Sequence, residues 1–254
     1  MTAPLRARLA ERPCLGVSVR LARTPDIAAM LRDSGYDWMF LDFEHGPLSF
    51  DQMSQMALAG VEAGVTPLVR VPDPGAPMIN RVLSNGAMGI IVPHVDDAET
   101  AAELARHCRF PPVGERSAPG ILPQCGYAPQ PWGARAARLN DETLCVVMIE
   151  SPEAVAAAEA IAATPGVDVL FIGASDLTFS LGVPGAYDDP RVVAAMERVV
   201  EVCAAHGKVP GFGGPGDAAI VRCYIGTGMR LILAGNDQTL FLNGARSRHQ
   251  ALVG

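Results

Sequence analysis

A single (β/α)8 barrel spanning residues 1–254 is the fold the sequence predicts, and three observations predict it. Eight short apolar runs recur along the chain, nearly every pair is separated by one amphipathic segment, and no polar linker or composition shift divides them. The length of 254 residues suits one barrel domain, and an apolar content of 49% is ample for its core. An open doubly wound sheet is the alternative. The first run leads into V-R-L-A-R-T-P with no glycine fingerprint, and 211–216 is glycine-rich without Walker spacing or its lysine.

The elements follow in order. Cys14–Val19 is the first strand. Thr24 and Pro25 open a helix with Ile27, Met30 and Leu31 as its stripe and Ser34-Gly35 as its end. The second strand lies in Met39–Pro47, M-F-L-D-F-E-H-G-P, an apolar run that breaks abruptly into Asp42, Glu44 and His45 before Gly-Pro. Ser49–Ala63 is helical and Pro67–Val71 is strand three; a helix over Pro77–Ser84 then leads to strand four, Gly89–Val92. Asp96–His107 is a helix capped by Asp96 or Asp97. The stretch from Phe110 to Asn140, rich in Pro and Gly and carrying Tyr127 and Trp132, is too long for a plain connection and reads as a functional excursion over one face. Strands at Leu144–Ile149, Val169–Ile172, Val209–Phe212 and Leu231–Ala234 complete the set. They alternate with helices at Pro152–Ala162, Arg191–His206, Gly216–Ile225 and Gln238–Leu252.

Composition narrows the function. A formal charge of −7 with no basic run argues against nucleic acid, and no apolar run reaches membrane-spanning length. Six cysteines occur singly, without C-x-x-C or zinc spacing, so free thiols in a reducing cytoplasm are expected. The N-terminal stretch lacks a signal peptide's apolar segment.

In a barrel the carboxyl ends of the strands converge on one face, where chemistry is done. Strand two delivers Asp42, Glu44 and His45, and strand three Arg70. Strand five delivers Glu150, strand six Ser175 and Asp176, strand seven Phe212, and strand eight Asn236 and Asp237. Glu150 and Asp176 form a hard-oxygen pair suited to magnesium or manganese. The alternative is that Glu150 caps a helix and Asp176 pairs with an arginine. Gly173-Ala174-Ser175 before a helix start would offer N–H groups to an anion, and Arg70 would stabilise a developing oxyanion. His45 is the one histidine at a strand end; His94, His107, His206 and His249 read as surface residues on helices or turns. Together these suit metal-assisted cleavage of a small keto-acid.

Seven segments in order, F-L-D-F-E-H-G-P, P-L-V-R-V-P, I-I-V-P, R-F-P-P-V-G-E-R, M-I-E-S, D-V-L-F-I-G-A-S-D-L and K-V-P-G, resemble the HpcH/HpaI family of class II pyruvate aldolases. The resemblance implies a TIM barrel, a divalent metal (magnesium, manganese or cobalt), keto-acid and aldehyde substrates, and a homohexamer built as a trimer of dimers. It matches Glu150 and Asp176 to the metal ligands, Arg70 to the enolate-stabilising arginine, His45 to the acid–base histidine acting through water, and Asp42 to its neighbouring carboxylate. The N–H groups of Ser175 and Asp176 match those that bind the pyruvate carboxylate, and Arg116-Ser117 falls on the family's turn after P-P-x-G, making Ser117 a substrate-binding candidate. Two departures stand out: Met148 replaces a glutamine, and Ser84 stands where an aspartate reaching a neighbouring subunit's histidine is expected. Phe212 and Met148 imply an apolar acceptor pocket and a less charged aldehyde. The expected activity is reversible cleavage of 4-hydroxy-2-oxo acids to pyruvate or hydroxypyruvate and an aldehyde. Oxaloacetate-type decarboxylation and a weakened keto-acid-binding paralogue are the alternatives. A Schiff-base route is disfavoured, because the sole lysine, Lys208, precedes strand seven.

Overall fold

The eight expected strands close on themselves. In the computed structural model, which describes residues 3–72, 74–126 and 130–254, they are β1 (Cys14–Val19), β2 (Trp38–Asp42), β3 (Thr66–Arg70), β4 (Gly89–Val92), β5 (Leu144–Ile149), β6 (Val169–Gly173), β7 (Val209–Gly213) and β8 (Leu231–Asn236). They pair in parallel in chain order, β8 returning to β1. Among the described residues eleven α-helices surround them: α1 (Leu5–Glu11), α2 (Asp26–Asp33), α3 (Phe50–Ala63), α4 (Ala76–Leu83), α5 (Ala98–Cys108), α6 (Trp132–Glu142), α7 (Pro152–Ala163), α8 (Ala174–Ser180), α9 (Pro190–His206), α10 (Ala218–Gly226) and α11 (Asp237–Val253). No described helix is long and apolar enough to cross a membrane.

Local chemistry explains the boundaries. Ser49 and Gln52 form a reciprocal capping box at the start of α3, and Gly64 ends that helix with φ +78°. Asp97 caps α5 by accepting from Thr100 N at 2.7 Å. Pro25, expected inside α2, occupies its cap position instead, and α2 begins at Asp26.

Strand alternation divides the apolar residues into two cores. Trp38, Phe40, Leu68, Met148, Phe171 and Leu231 fill the barrel interior, whereas Val17, Val19, Leu41, Ile172 and Phe212 pack between sheet and helices. Gly16 is required because the Trp38 ring lies where its Cβ would be. The unanticipated α1 plugs the end where the strands begin. Leu5 and Leu9 join the interior core, while Arg8 and Arg12 pair with Asp37 at 2.9 and 2.6 Å and Arg6 pairs with Asp168 at 2.7 Å.

The stretch from Phe110 to Asn140 differs from expectation. It contains a 3-10 turn (Pro123–Cys125) and much of α6, with a small core of Phe110, Leu122 and Leu139. Arg116 lies over the Phe110 ring at 4.4 Å, donates to Leu83 O, and is pushed down to about 10 by burial. Tyr127 lies outside the described residues. The two ends of this segment meet α5 and β5, at the end of the barrel where the strands begin.

Candidate active site

The turn after β2 is built by one carboxylate. Asp42 is fully buried, and its Oδ1 accepts from the N–H groups of Glu44 (3.0 Å) and His45 (3.1 Å), an arrangement aspartate favours in turns. Gly46 packs so close to the Asp42 carbonyl that a Cβ would collide with it. Register places Asp42 directly beside Arg70 on β3. The guanidinium grips it with Nε at 3.0 Å and Nη2 at 2.7 Å, and Arg20 adds Nη2 at 2.9 Å. Burial alone would push the Asp42 carboxyl up, but the hydrogen bonds and charge of Arg70, the His45 N–H and Arg20 outweigh it and hold it below the usual carboxylate range. Asp42 therefore stays ionised and orients Arg70.

Glu44 ties the rest together. Arg70 Nη1 lies 2.8 Å from Glu44 Oε2, and the Nε2 atoms of His45 and His94 lie 3.9 and 3.8 Å from its two oxygens. The His45 ring is more than half exposed, at 56%, and can reach a substrate through water. Ser84 closes α4, and among the described residues Glu44 is the carboxylate within ion-pair reach of His45.

Glu150 ends β5 at 3% exposure. Its Oε2 accepts from His94 N at 2.9 Å and lies 3.2 Å from His94 Nδ1, and Ser151 rather than Glu150 caps α7. A Cβ on Gly173 would run into Oε1, so the missing side chain leaves room at this carboxylate. Burial pushes the Glu150 carboxyl up to about 7; the His94 N–H and charge oppose this, and the Asp176 carboxylate adds to it. Asp176 is exposed in the first turn of α8, and no arginine lies within ion-pair distance of it among the described residues.

Arg70, His45, Ser175, Asp176, Arg20 and Met148, among others, line one cavity of about 300 Å³, and Glu150 stands behind Gly173 of its wall. The donor set fits a hard divalent cation: two carboxylates, no thiolate, and a buried carboxyl whose ionisation a cation would favour. Among the described residues no three His, Cys, Asp or Glu side chains form a ready-made cage, so waters and substrate oxygens would complete the shell. At Gly214, φ is +133° and an added Cβ would stand 3.0 Å from Ser175 N, so this glycine keeps the Ser175 N–H and hydroxyl open.

Several expectations change. Phe212 does not reach the cavity: it is fully buried in the outer core, edge-on to Tyr224 at 5.4 Å, because alternation along β7 turns Gly211 and Gly213 inward. Ser117 is exposed and donates its N–H to Asn80 on α4 at 3.0 Å, and it is not among the residues that line the cavity. Asn236 and Asp237, expected at the end of strand eight, serve the backbone: the Asp237 carboxylate accepts from the N–H groups of Arg20, Leu21 and Ala22, while Asn236 caps α11. Of the histidines set aside, His107 is buried rather than on the surface, and His94 sits at the site in a left-handed conformation, φ +54°. I-I-V-P ended one residue short of His94, and only the αL backbone turns its N–H onto Glu150. Arg20, too, was absent from the expected set.

Comparison with known proteins agrees with the barrel fold. Residues 20–212 match the HpcH/HpaI aldolase/citrate lyase family. A 4-hydroxy-4-methyl-2-oxoglutarate aldolase of Hapsidospora irregularis is 40% identical over 206 residues, 80% of this chain and 76% of that protein. A hydroxypyruvate/pyruvate aldolase of Paraburkholderia phytofirmans is 35% identical over 256 residues, 98% of this chain and 97% of its own. The crystal structure of an HpcH/HpaI aldolase from Desulfitobacterium hafniense superposes with a TM-score of 0.92 at 29% identity, covering 98% of this chain and 97% of that one. The matched span and the shared identity place it: the chain belongs to the HpcH/HpaI aldolase/citrate lyase family.

Proposed function

We propose that this aldolase reversibly cleaves a 4-hydroxy-2-oxo acid to pyruvate or hydroxypyruvate and a carbonyl acceptor, with a divalent metal (magnesium, manganese or cobalt) held by Glu150 and Asp176. The observation that carries this reading is that Arg70, Ser175 and Asp176 line one cavity while the Glu150 carboxylate, close enough to feel the charges of Asp176 and Arg70, stands against Gly173 of its wall. Relatives named for 4-hydroxy-4-methyl-2-oxoglutarate and for hydroxypyruvate and pyruvate support the substrate class. Bound there, the cation would polarise the keto group and stabilise charge on its oxygen.

The chain's own residues supply the rest. The open N–H groups of Ser175 and Asp176 receive the substrate carboxylate. Arg70, locked by Asp42 and Glu44, stands ready to donate to the C2 oxygen. Cleavage removes the proton of the C4 hydroxyl and breaks the C3–C4 bond; the electron pair passes to C3 and is shared with the C2 oxygen. C3 then takes up a proton. His45, through a water, moves the C4 proton, and Glu44 holds that ring's acidic side. Met148 gives the cavity wall an apolar patch.

Chelation is expected to abolish pyruvate release, with activity returning on addition of Mn²⁺ or Mg²⁺. His45→Ala is expected to lower turnover at least roughly a hundredfold while leaving metal binding intact. Full turnover in excess chelator, or an unchanged rate in the variant, removes the metal or the histidine from the reaction. The expected hexamer is supported by α11, which buries none of its residues in one chain and exposes Leu240, Phe241 and Leu242; light scattering checks it. Six free thiols, four of them buried, support a cytoplasmic setting.

A further inference from the structure

The carboxyl end of β1 brings two polar side chains to the cavity that the reaction above leaves unused. Ser18 and Arg20 stand two residues apart, so both turn inward while Val17 and Val19 pack outward. Ser18 is 3% exposed and its Oγ has no hydrogen-bond partner; Arg20 Nε is likewise buried without one. Buried donors without acceptors carry a cost that a bound acceptor removes.

Arg20 is not needed merely to satisfy Asp42. That carboxylate already takes two hydrogen bonds from Arg70 and two from backbone N–H groups, and Arg20 reaches it through Nη2 alone. The guanidinium keeps donors to spare, as a five-donor fork allows. Its backbone is fixed from outside, because Asp237 on α11 accepts from the N–H groups of residues 20, 21 and 22. The group is held in place before any ligand arrives.

Topology shows which part of a substrate would meet it. In a closed eight-strand barrel β1 lies across from β5, whose end carries Glu150, with Ser175 and Asp176 after β6 beside it. A keto-acid whose 2-oxo end lies at β5 and β6 extends its far end toward β1. The cavity of about 300 Å³ is at the small end for ligand pockets and suits a short-chain acid.

We propose that Ser18 and Arg20 form a second anion subsite that binds the distal carboxylate of a short 4-hydroxy-2-oxo dicarboxylic acid. The acceptor half released on cleavage is then itself an oxo acid rather than a neutral aldehyde. This inference rests on the aldol reading for the orientation of the substrate. It also departs from the apolar acceptor pocket expected from Phe212 and Met148: Phe212 faces the other way, and a guanidinium joins Met148 in the cavity wall. A neutral acceptor leaves both donors unpaired, and sites built around such donors reject ligands that lack the matching group.

Calorimetry on the full-length, Mn²⁺-loaded protein tests the subsite with two inert ligands, 2-oxoglutarate and 2-oxopentanoate. They share the 2-oxo acid end and chain length and differ by carboxylate against methyl. The expected result is binding of 2-oxoglutarate at least about tenfold tighter, with that ratio cut by roughly tenfold or more in Arg20→Met and by less in Ser18→Ala. Arg20→Lys is expected to keep part of the preference. Ser18→Ala breaks no hydrogen bond of the structure, so it also provides a reading that loss of fold does not confuse. A ratio near one in the unaltered protein, or an unchanged ratio in Arg20→Met, overturns the proposal. Neither ligand has a C4 hydroxyl, so neither is cleaved. A preserved ratio without aldol turnover would refute the reaction and keep the subsite; turnover with a ratio near one would refute the subsite alone.

Discussion

Asp42→Asn separates positioning from proton transfer. The carboxylate receives Arg70 Nε at 3.0 Å and Nη2 at 2.7 Å, Arg20 Nη2 at 2.9 Å, and two backbone N–H groups at 3.0 and 3.1 Å. Asparagine keeps one acceptor oxygen, turns an NH₂ toward a guanidinium, and removes the negative charge between two arginines. Breaking a buried pair by removing one partner costs about 3–5 kcal/mol. Glu44 still holds Arg70 Nη1 at 2.8 Å, and the Arg20 contact is one-third exposed and screened. The expected loss is therefore about 2–4 kcal/mol in denaturant unfolding. Freed from its bidentate grip, Arg70 would no longer be aimed at the reacting oxygen, and kcat/KM for aldol cleavage should fall roughly a hundredfold. Because the folded Asp42 carboxyl is held below its ordinary value, its stabilising contribution is complete above the unfolded value of about 3.9 and fades as pH falls through the folded one. The wild-type advantage over the variant should shrink correspondingly in acid. Activity lost without any change in stability would instead make Asp42 a proton carrier and refute the anchoring role. A variant within about 0.5 kcal/mol and threefold of wild type would refute both.

Two further outcomes concern the carboxylate pair. Gly173→Ala places a methyl group against Glu150 Oε1; since a side-chain tip can move aside, the fold should persist while Mn²⁺ affinity drops at least roughly tenfold, and an unchanged Kd would show that Oε1 does not face the ion. With Glu150 raised to about 7 in the metal-free chain, its cost to the stability of that chain builds as pH rises from the unfolded value of about 4.3 to about 7 and is complete above that. Metal binding below that pH must expel a proton, so Mn²⁺ affinity should weaken from pH 8 to pH 6 with measurable proton release, an effect absent in Glu150→Gln.

Sequence alone determined the barrel and most of its punctuation. Each β-strand is an apolar run long enough to be buried on both faces, and such runs separated by capped amphipathic segments leave few other folds. The same logic located Asp42, Arg70, Glu150 and Asp176, because a buried strand releases polar groups only at its end. Tertiary structure decided what periodicity cannot carry. The phase of β7 sent Phe212 into the outer core and left Gly213 facing the bowl, a one-residue difference that register against β6 sets, Phe212 lying beside Ile172. His94 reached Glu150 only through a left-handed backbone after β4, which no helix or strand pattern encodes. Arg20 became part of the site because barrel closure brings β1 against β2, and Asp237, 217 residues along the chain, clamps the backbone that carries it. Short-range patterning sets where a strand ends; long-range pairing sets which side chains meet there.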